Sequence, residues 1–389
     1  MSDESREALQ TPAQAGVPDR TSSGKEHYEV LDGLRGTAAI MVVLFHIMGM
    51  PIAWADNGQW LHHAAMAVDF FFGLSGFVVA YAYDDRWGRM SVGRFFTVRL
   101  IRLHPLVLLG AVLGLISFLI DPFAANQRLV PITVVLRDFV LACLLLPYAA
   151  LPNRWTDTHS LNSPSWSLLQ EYIANIAYAL ILRRLAARAL GAIVALAAIA
   201  LLWVLWRTNQ IDVGSDWTTV WMGPARMTFS FTMGLLLYRL RDKLPKIPLG
   251  WIPLSAILVL AFAVPMVPDS VPHGNGIFEA ATVMLLFPAI ILCGANSKIS
   301  QVQLALCKFA GRISYPLYIL HYPFLLIYMN FALFGKPSRT AIQLSAFCSF
   351  LLVVAVSVLA LKFYDEPIRR WLRSRSIQPI ARVAISSQA

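Results

Sequence analysis

An arginine and a histidine in the first apolar run have types and spacing suited to chemistry. Arg35 and His46 are eleven positions apart. On an α-helix this spacing is within about 20° of three full turns and separates the residues by roughly 16 Å along the axis. Both side chains therefore lie on one helix face. His46, deep in the run, could act as a general base or as a structural hydrogen-bond donor.

Two carboxylates in later apolar runs are candidates to assist His46. Asp69 opens the second run, and Glu171 lies one turn inside a helix that begins after Pro164. A carboxylate beside an imidazole orients the ring and stabilises its protonated form. We therefore predict that Asp69 or Glu171 orients His46, and the pattern does not select between them.

Arg99 and Arg102 form a basic pair after the second run, one helical turn apart. Side chains at this spacing share a helix face. Such a pair binds phosphate groups well, and it is equally typical of contacts with lipid head groups. The sequence alone leaves these two interpretations open.

Other polar residues lie among apolar and aromatic ones. Ser75 is not predicted to be a lipase-type nucleophile, because the second glycine of the G-x-S-x-G elbow is missing. Tyr318 and His321 are three positions apart, so both can face one cavity. The adjacent histidines 62–63 lack the helical spacing of metal ligands, and no metal site is predicted.

Membrane-spanning helices are the elements that must position these residues. Of the 389 residues, 57% are apolar and only 14% are charged, and the mean hydropathy is +0.60. A soluble domain carries about 25% charged residues, so this composition excludes a soluble protein. Eleven apolar runs approach the length of about 20 residues that a span requires: 34–53, 64–83, 105–120, 129–148, 165–182, 189–206, 225–238, 248–267, 278–294, 313–331 and 340–361.

The distribution of basic residues predicts the orientation of these spans. Of the 32 Lys and Arg residues, 25 lie in six stretches that we predict to be cytoplasmic: 1–35, 84–104, 183–188, 239–246, 298–312 and 362–389. Both termini are then cytoplasmic, which requires an even number of crossings. The run 105–120 is short, and the run 129–148 contains Arg137 and Asp138. We therefore predict an all-α polytopic bundle of about ten spanning helices with one re-entrant or interfacial segment.

Three parts are predicted along the chain. They are a disordered cytoplasmic tail over 1–29, a transmembrane domain over 30–370 and a basic cytoplasmic tail over 371–389. The first stretch is polar and has no signal-peptide core. The net charge of +10 fits the basic cytoplasmic loops of membrane proteins, so no nucleic-acid partner is predicted.

Four short segments occur along the chain in an order that is typical of one protein family. They read LDGLRG at 31–36, followed by His46, then DFFFGLSGF at 69–77, SWSLLQE at 165–171 and SYPLYILH at 314–321. Together with the Arg35-to-His46 spacing and the Arg99–Arg102 pair, they resemble the membrane-bound acyltransferase-3 family of bacteria. The resemblance covers residues 30–370 and departs from the common pattern at LQEY, 169–172, where many relatives carry two acidic residues in tandem.

The resemblance implies an O-acyltransferase of the cell inner membrane. It would move an acyl group, most often acetyl, from cytoplasmic acyl-CoA to a hydroxyl of a carbohydrate or glycolipid, with His46 as general base. On this basis we assign catalytic roles to His46, Asp69 and Glu171, acyl-CoA binding to Arg35, Arg99 and Arg102, and substrate binding to Ser75, Trp166, Ser167, Tyr318 and His321.

A proton-coupled transporter or flippase of a glycan precursor is the alternative interpretation. Buried His46, Asp69 and Glu171 would also suit a proton relay. Such a transporter typically has discontinuous helices and repeat symmetry, and the sequence shows no repeat. The expected partners are a carbohydrate or glycolipid and membrane lipids; a second copy of the chain and polysaccharide-assembly proteins are further alternatives.

Overall fold

The fold is all-α, as predicted. The computed structural model describes residues 27–49 and 60–376, and over these residues it contains isolated bridging of Asp157 with Asp216 but no β-strand. Thirteen α-helices follow one another: α1 (Glu29–Met48), α2 (Ala67–Tyr83), α3 (Val92–Ile120), α4 (Ile132–Cys143), α5 (Ser165–Leu180), α6 (Ala187–Thr208), α7 (Gly223–Leu240), α8 (Trp251–Ala263), α9 (Gly274–Ala281), α10 (Phe287–Ala295), α11 (Gln301–Phe334), α12 (Arg339–Ala360) and α13 (Glu366–Ser376).

Long apolar helices confirm that the chain is a polytopic membrane protein. Seven helical stretches in the described residues are long and apolar enough to cross a bilayer: Glu29–Met48, Ala64–Tyr83, Val92–Ile120, Ala187–Thr208, Gly274–Ala295, Gln301–Phe334 and Arg339–Ser376. Three other predicted spans correspond to α5, α7 and α8, which are shorter or less apolar. If these three helices also cross the membrane, the number of spans is the predicted ten. That number stays a prediction.

The two weakest predicted runs have different outcomes. The run 105–120 is not a separate short segment, because α3 is continuous over Val92–Ile120 and Ser91 accepts a hydrogen bond from the Arg94 amide at its start. The predicted run left out the basic stretch 94–102, although Arg is a good helix former. The run 129–148 contains only the 12-residue α4. At 1.5 Å per residue this helix is about 18 Å long, too short for a 30 Å hydrocarbon core.

The predicted tails lie mostly outside the described residues. Residues 1–26 of the predicted N-terminal tail are not described, and α1 already begins at Glu29. At the other end, α13 runs across the predicted boundary at 370, and residues 377–389 are not described. A π-helical segment, Leu361–Asp365, connects α12 to α13, so this basic helix continues from the last span.

Close helix contacts hold the candidate residues in place. The two most extensive helix pairs are α1 with α11 and α2 with α7. Glycines permit the second contact: a Cβ atom at Gly76 would overlap the carbonyl oxygen of Phe231, and one at Gly234 would overlap that of Gly73. In a bilayer, where lipid tails are as apolar as Leu, such small residues let the backbones approach each other.

Replacing Gly76 with alanine is expected to destabilise the protein by about 1–3 kcal/mol, because a backbone carbonyl cannot move away as a side chain can. The matched control is Gly191→Ala in α6, where the added Cβ meets open space. Thermal unfolding in lipid nanodiscs would compare the two variants. A Gly76→Ala protein as stable as the Gly191→Ala protein would contradict the proposed packing.

The segment 144–164 between α4 and α5 is irregular, yet much of it is buried. Other parts of the protein accept hydrogen bonds from its side chains: the Asn162 amide donates to the Ile319 carbonyl at 2.8 Å, and Arg154 donates to the Ser117 carbonyl at 3.2 Å. Gly114 allows its approach, because a Cβ there would overlap the Leu161 carbonyl. Irregular backbone inside a membrane protein is tolerated where it is buried in protein or lines a cavity.

Candidate active site

A cavity of about 600 Å³, here called the arginine cavity, opens at the end of the bundle where α1 and α3 begin. Its walls come from α1, α2, α3, α5, α11 and α13. The three arginines predicted to bind acyl-CoA all line it, together with four that the sequence analysis did not single out. Its arginines are Arg35, Arg99, Arg102, Arg312, Arg369, Arg370 and Arg373.

Glu171 connects three helices at the inner part of the arginine cavity. Its Oε1 atom accepts hydrogen bonds from Arg99 Nη2 at 2.7 Å and from Ser75 Oγ at 2.9 Å. Glu171 therefore fixes the guanidinium of Arg99, and it does not contact His46. The prediction that Glu171 orients His46 is wrong on this geometry, because the buried guanidinium of α3 lies closer to the carboxylate.

A second cavity of about 320 Å³, here called the histidine cavity, opens toward the other end of the bundle. His46 from α1 and Trp166 from α5 line it, so both belong to the candidate site. The irregular segment 144–164 contributes Trp155 and Asp157, and the connection between α6 and α7 contributes Asp212.

The hydrogen bonds of His46 define its tautomer. Its Nδ1 atom lies 2.9 Å from the Val42 carbonyl oxygen, and His321 Nδ1 lies 3.1 Å from the Leu317 carbonyl oxygen. Because a carbonyl oxygen only accepts, each Nδ1 carries the proton, and each neutral ring has a lone pair on Nε2. His46 Nδ1 also approaches His321 Nε2 at 3.3 Å. The Nε2 atom of His46 thus keeps a free lone pair, which is able to accept a proton.

His321 takes the place beside His46 that the sequence analysis assigned to a carboxylate. It is fully buried, and the two ring centroids are 5.1 Å apart. It therefore packs against His46 and lines neither cavity, so its predicted role in binding substrate stays without support from this geometry. The signal for this pairing was the helix–helix contact of α1 with α11, which a single sequence does not reveal.

Asp69 forms a buried ion pair with Arg226 of α7 instead of contacting His46. Arg226 Nη2 lies 2.6 Å from Asp69 Oδ2, and each residue is 1% exposed. Arg226 also donates to the Val213 carbonyl at 2.7 Å and to the Ala65 carbonyl at 3.0 Å. The prediction that Asp69 orients His46 is therefore wrong. Arg226 was missed, although a charge inside the apolar run 225–238 is itself a signal of function or pairing.

The two cavities meet at Val68 and Tyr318, which line both. Tyr318 Oη lies 2.7 Å from Ser167 Oγ, and Ser167 donates its proton to the Pro164 carbonyl at 2.9 Å. Tyr318 is therefore the donor in the first bond, which fixes its ring. Phe71 packs edge-on against this ring, with centroids 5.4 Å apart. These side chains form a thin wall between the cavities.

The histidine cavity contains one carboxylate that is nearly removed from solvent. Asp157 is 6% exposed and accepts a hydrogen bond from Tyr322 Oη at 3.3 Å. Burial, helped by the charges of Asp216 and Asp212, raises the pKa of Asp157 to about 7, although hydrogen bonds from Ser163 and Tyr322 act in the opposite direction. Sequence analysis missed Asp157 because it lies in a connecting segment rather than in an apolar run.

The described part of the chain contains no group of side chains that could hold a metal ion. Within residues 27–49 and 60–376, no three His, Cys, Asp or Glu side chains are grouped to hold an ion. His63, from the discounted histidine pair, instead bonds Glu279 at 2.8 Å.

The fold and its two cavities define a polytopic membrane protein with polar side chains inside a helical bundle. The chain belongs to the acyltransferase-3 family, whose model, described as an acyltransferase domain, matches residues 28–362. It is therefore a membrane acyltransferase, as the resemblance predicted, and the transporter alternative loses its support.

Two curated proteins are similar to this chain. Acyltransferase MdmB of Streptomyces mycarofaciens is 28% identical over 359 residues, which are 85% of this chain and 87% of that protein. Protein 2 in picA locus of Rhizobium radiobacter is 33% identical over 168 residues, 41% of this chain and 84% of that protein. No solved structure matches the chain.

Proposed function

We propose that the protein transfers an acyl group, in the simplest case acetyl, from cytoplasmic acyl-CoA to a hydroxyl of a carbohydrate or glycolipid in the inner membrane. One observation carries this proposal: the arginine cavity and the histidine cavity meet at a wall made by Val68 and Tyr318. This arrangement supports a donor site and an acceptor site on opposite sides of one reaction centre.

The charge of the arginine cavity supports an acyl-CoA donor. Seven arginines line the cavity with three carboxylates, Asp32, Glu171 and Glu366, and Arg369 also pairs with Asp365 outside the lining, which leaves an excess of three positive charges. Guanidinium groups bind phosphate in a bidentate way, so a cluster of them suits the phosphates of CoA. The basic stretches that predict a cytoplasmic location lie at this end of the bundle, where acyl-CoA is available.

The chemistry follows from the free lone pair of His46. In the proposed reaction, His46 Nε2 accepts the proton of the acceptor hydroxyl while the hydroxyl oxygen attacks the thioester carbonyl carbon. The carbon–sulfur bond then breaks, the ester forms, and the imidazolium returns the proton to the sulfur of CoA. The reaction takes place beside Val68 and Tyr318, where the thioester and the hydroxyl approach from opposite cavities.

A transfer assay tests this function. Purified protein in nanodiscs is incubated with radiolabelled acetyl-CoA and a crude envelope glycan extract. Label on glycan that hydroxylamine releases would identify an ester and support the proposal. Acetyl-CoA that neither binds nor donates label, with longer acyl-CoAs equally inactive, would contradict it.

Arg102→Gln is expected to weaken acyl-CoA binding about 10- to 100-fold, the effect of losing one charged hydrogen bond. Arg102 lines the arginine cavity, whereas Arg99 is committed to Glu171. Isothermal titration calorimetry with acetyl-CoA measures the change. The matched control is Arg241→Gln, which removes the same charge at the same end of the bundle outside the cavity. Equal losses in both variants would point to general electrostatics rather than to a phosphate contact.

A further inference from the structure

The charges of the histidine cavity are opposite in sign to those of the arginine cavity. Asp157 and Asp212 line it, and its one lining arginine, Arg226, is already paired with Asp69. His46 is neutral when its only ring proton is on Nδ1 and Nε2 is unprotonated. Among the described residues, neither Asp157 nor Asp212 has an ion-pair partner.

Asp157 is placed where a ligand can reach it but bulk water cannot hydrate it fully. It is 6% exposed, lines the cavity and receives only neutral side-chain hydrogen bonds, from Tyr322 and Ser163. A buried carboxylate without a cation is costly, since hydration is lost and no charge replaces it. A ligand that carries a positive charge would supply the missing partner.

Aromatic side chains complete the wall around these carboxylates. Trp155, Trp166 and Tyr322 line the same cavity. Trp155 has φ 56°, a left-handed conformation that is unfavourable for a bulky residue, and the residue is 52% exposed. Aromatic faces attract both sugar rings and ammonium groups, and their attraction for a cation grows when water is excluded.

We propose that the histidine cavity binds an acceptor sugar that carries a positively charged amino group, held by Asp157 and Asp212 while a neighbouring hydroxyl reaches His46. This inference rests on the proposed function, since it makes His46 the base for that hydroxyl. The inference adds the chemical class of the acceptor to the proposed function: an amino sugar with a free or N-alkylated amine. An anionic sugar would be repelled, and an N-acetylated sugar would lose the ion pair.

Binding of three methyl glycosides tests this inference. The probes are the glycosides of N,N,N-trimethylglucosamine, N-acetylglucosamine and glucuronic acid, which present a permanent cation, a neutral amide and an anion. Isothermal titration calorimetry uses the full chain in nanodiscs, so that no sugar-headed detergent competes. The cation is expected to bind at least about tenfold more tightly than the amide, one well-placed charge interaction.

Variants decide whether the two carboxylates cause this preference. The double variant Asp157→Asn/Asp212→Asn is expected to reduce the preference to about one. Asp269→Asn is the matched control, because Asp269 is exposed in the connection between α8 and α9 and lines neither cavity. A cation preference that survives the double variant, amide binding as tight as cation binding, or no binding of any probe would overturn the inference.

The pH dependence supplies a second readout. The carboxyl pKa of Asp157 is raised to about 7, so Asp157 gains its charge as pH rises through this value. Affinity for the trimethylammonium probe, whose own charge is constant, should therefore increase between pH 6 and pH 8, and Asp157→Asn should remove most of this increase. An affinity that does not change with pH would contradict the role of Asp157. The other titratable or charged groups around Asp157 are His46, Asp212, Asp216, Arg226 and Tyr322.

The two proposals can fail separately. Transfer of acetyl from acetyl-CoA to a neutral glycan, without a cation preference, would reject the amino-sugar acceptor and keep the acyltransferase reaction. Selective binding of the cationic glycoside, without binding or use of any acyl-CoA, would reject the proposed donor and keep the acceptor site.

Discussion

His46→Asn is expected to reduce acyl transfer about 100- to 10,000-fold, the range that a positioned general base contributes. The asparagine cannot accept the hydroxyl proton, whereas the arginine cavity, which His46 does not line, stays intact. Acetyl-CoA should therefore bind the variant with unchanged affinity while kcat falls. Transfer assays and calorimetry on the same nanodisc preparation would separate the two effects.

The matched control is His273→Asn. His273 precedes α9, stacks on Trp206 at a centroid distance of 3.7 Å and lines neither cavity. Its φ of 58° is left-handed, a conformation that asparagine tolerates. This variant should keep wild-type transfer. Full activity of His46→Asn would remove the general-base role, and equal loss in both variants would indicate damage to the fold instead.

Arg226→Met is expected to destabilise the protein by about 3–5 kcal/mol, the cost of leaving one charge of a buried pair without its partner. Asp69 would remain 1% exposed and unpaired, and the carbonyls of Val213 and Ala65 would lose their donor. Asp69→Asn in the same chain should recover a large part of this loss, because it removes the orphaned charge. Thermal unfolding in nanodiscs would measure the three proteins.

Arg241→Met serves as the control for this stability effect. Arg241 follows α7 directly, and its partner Asp242 has a side chain that is 72% exposed. Exposed pairs of this kind contribute about 0–1 kcal/mol. If Arg226→Met were as stable as Arg241→Met, or if Asp69→Asn failed to restore stability, the pair would not hold α2 to α7.

Much of the fold could be predicted because a bilayer imposes a length and a composition on each span. The helix ends were harder to predict. α3 begins at Val92, and α11 begins at Gln301 rather than near 313. In both helices the first turns carry charged or polar residues, which apolar windows leave out. Such residues can be helical when they face a cavity or the interface.

The sequence predicts several residues of the candidate site, but it does not predict which side chains contact each other. His46, Arg35 and Arg102 stood out because polar groups in apolar surroundings are costly and rare. Their partners depend on which helices touch, and no spacing along one chain encodes that. For this reason the sequence analysis placed a carboxylate beside His46, where the structure has His321.

The wall at Val68 and Tyr318 has an electrical consequence. In the proposed reaction the acyl group leaves the electron pair of the carbon–sulfur bond on sulfur, so it passes this wall formally as a cation, while a proton passes in the other direction and every phosphate stays among the arginines. The exchange moves one positive charge each way, so no net charge crosses the bilayer. A membrane potential, worth about 2.3 kcal/mol per charge per 100 mV, therefore neither drives nor opposes it. The free energy comes from the thioester alone.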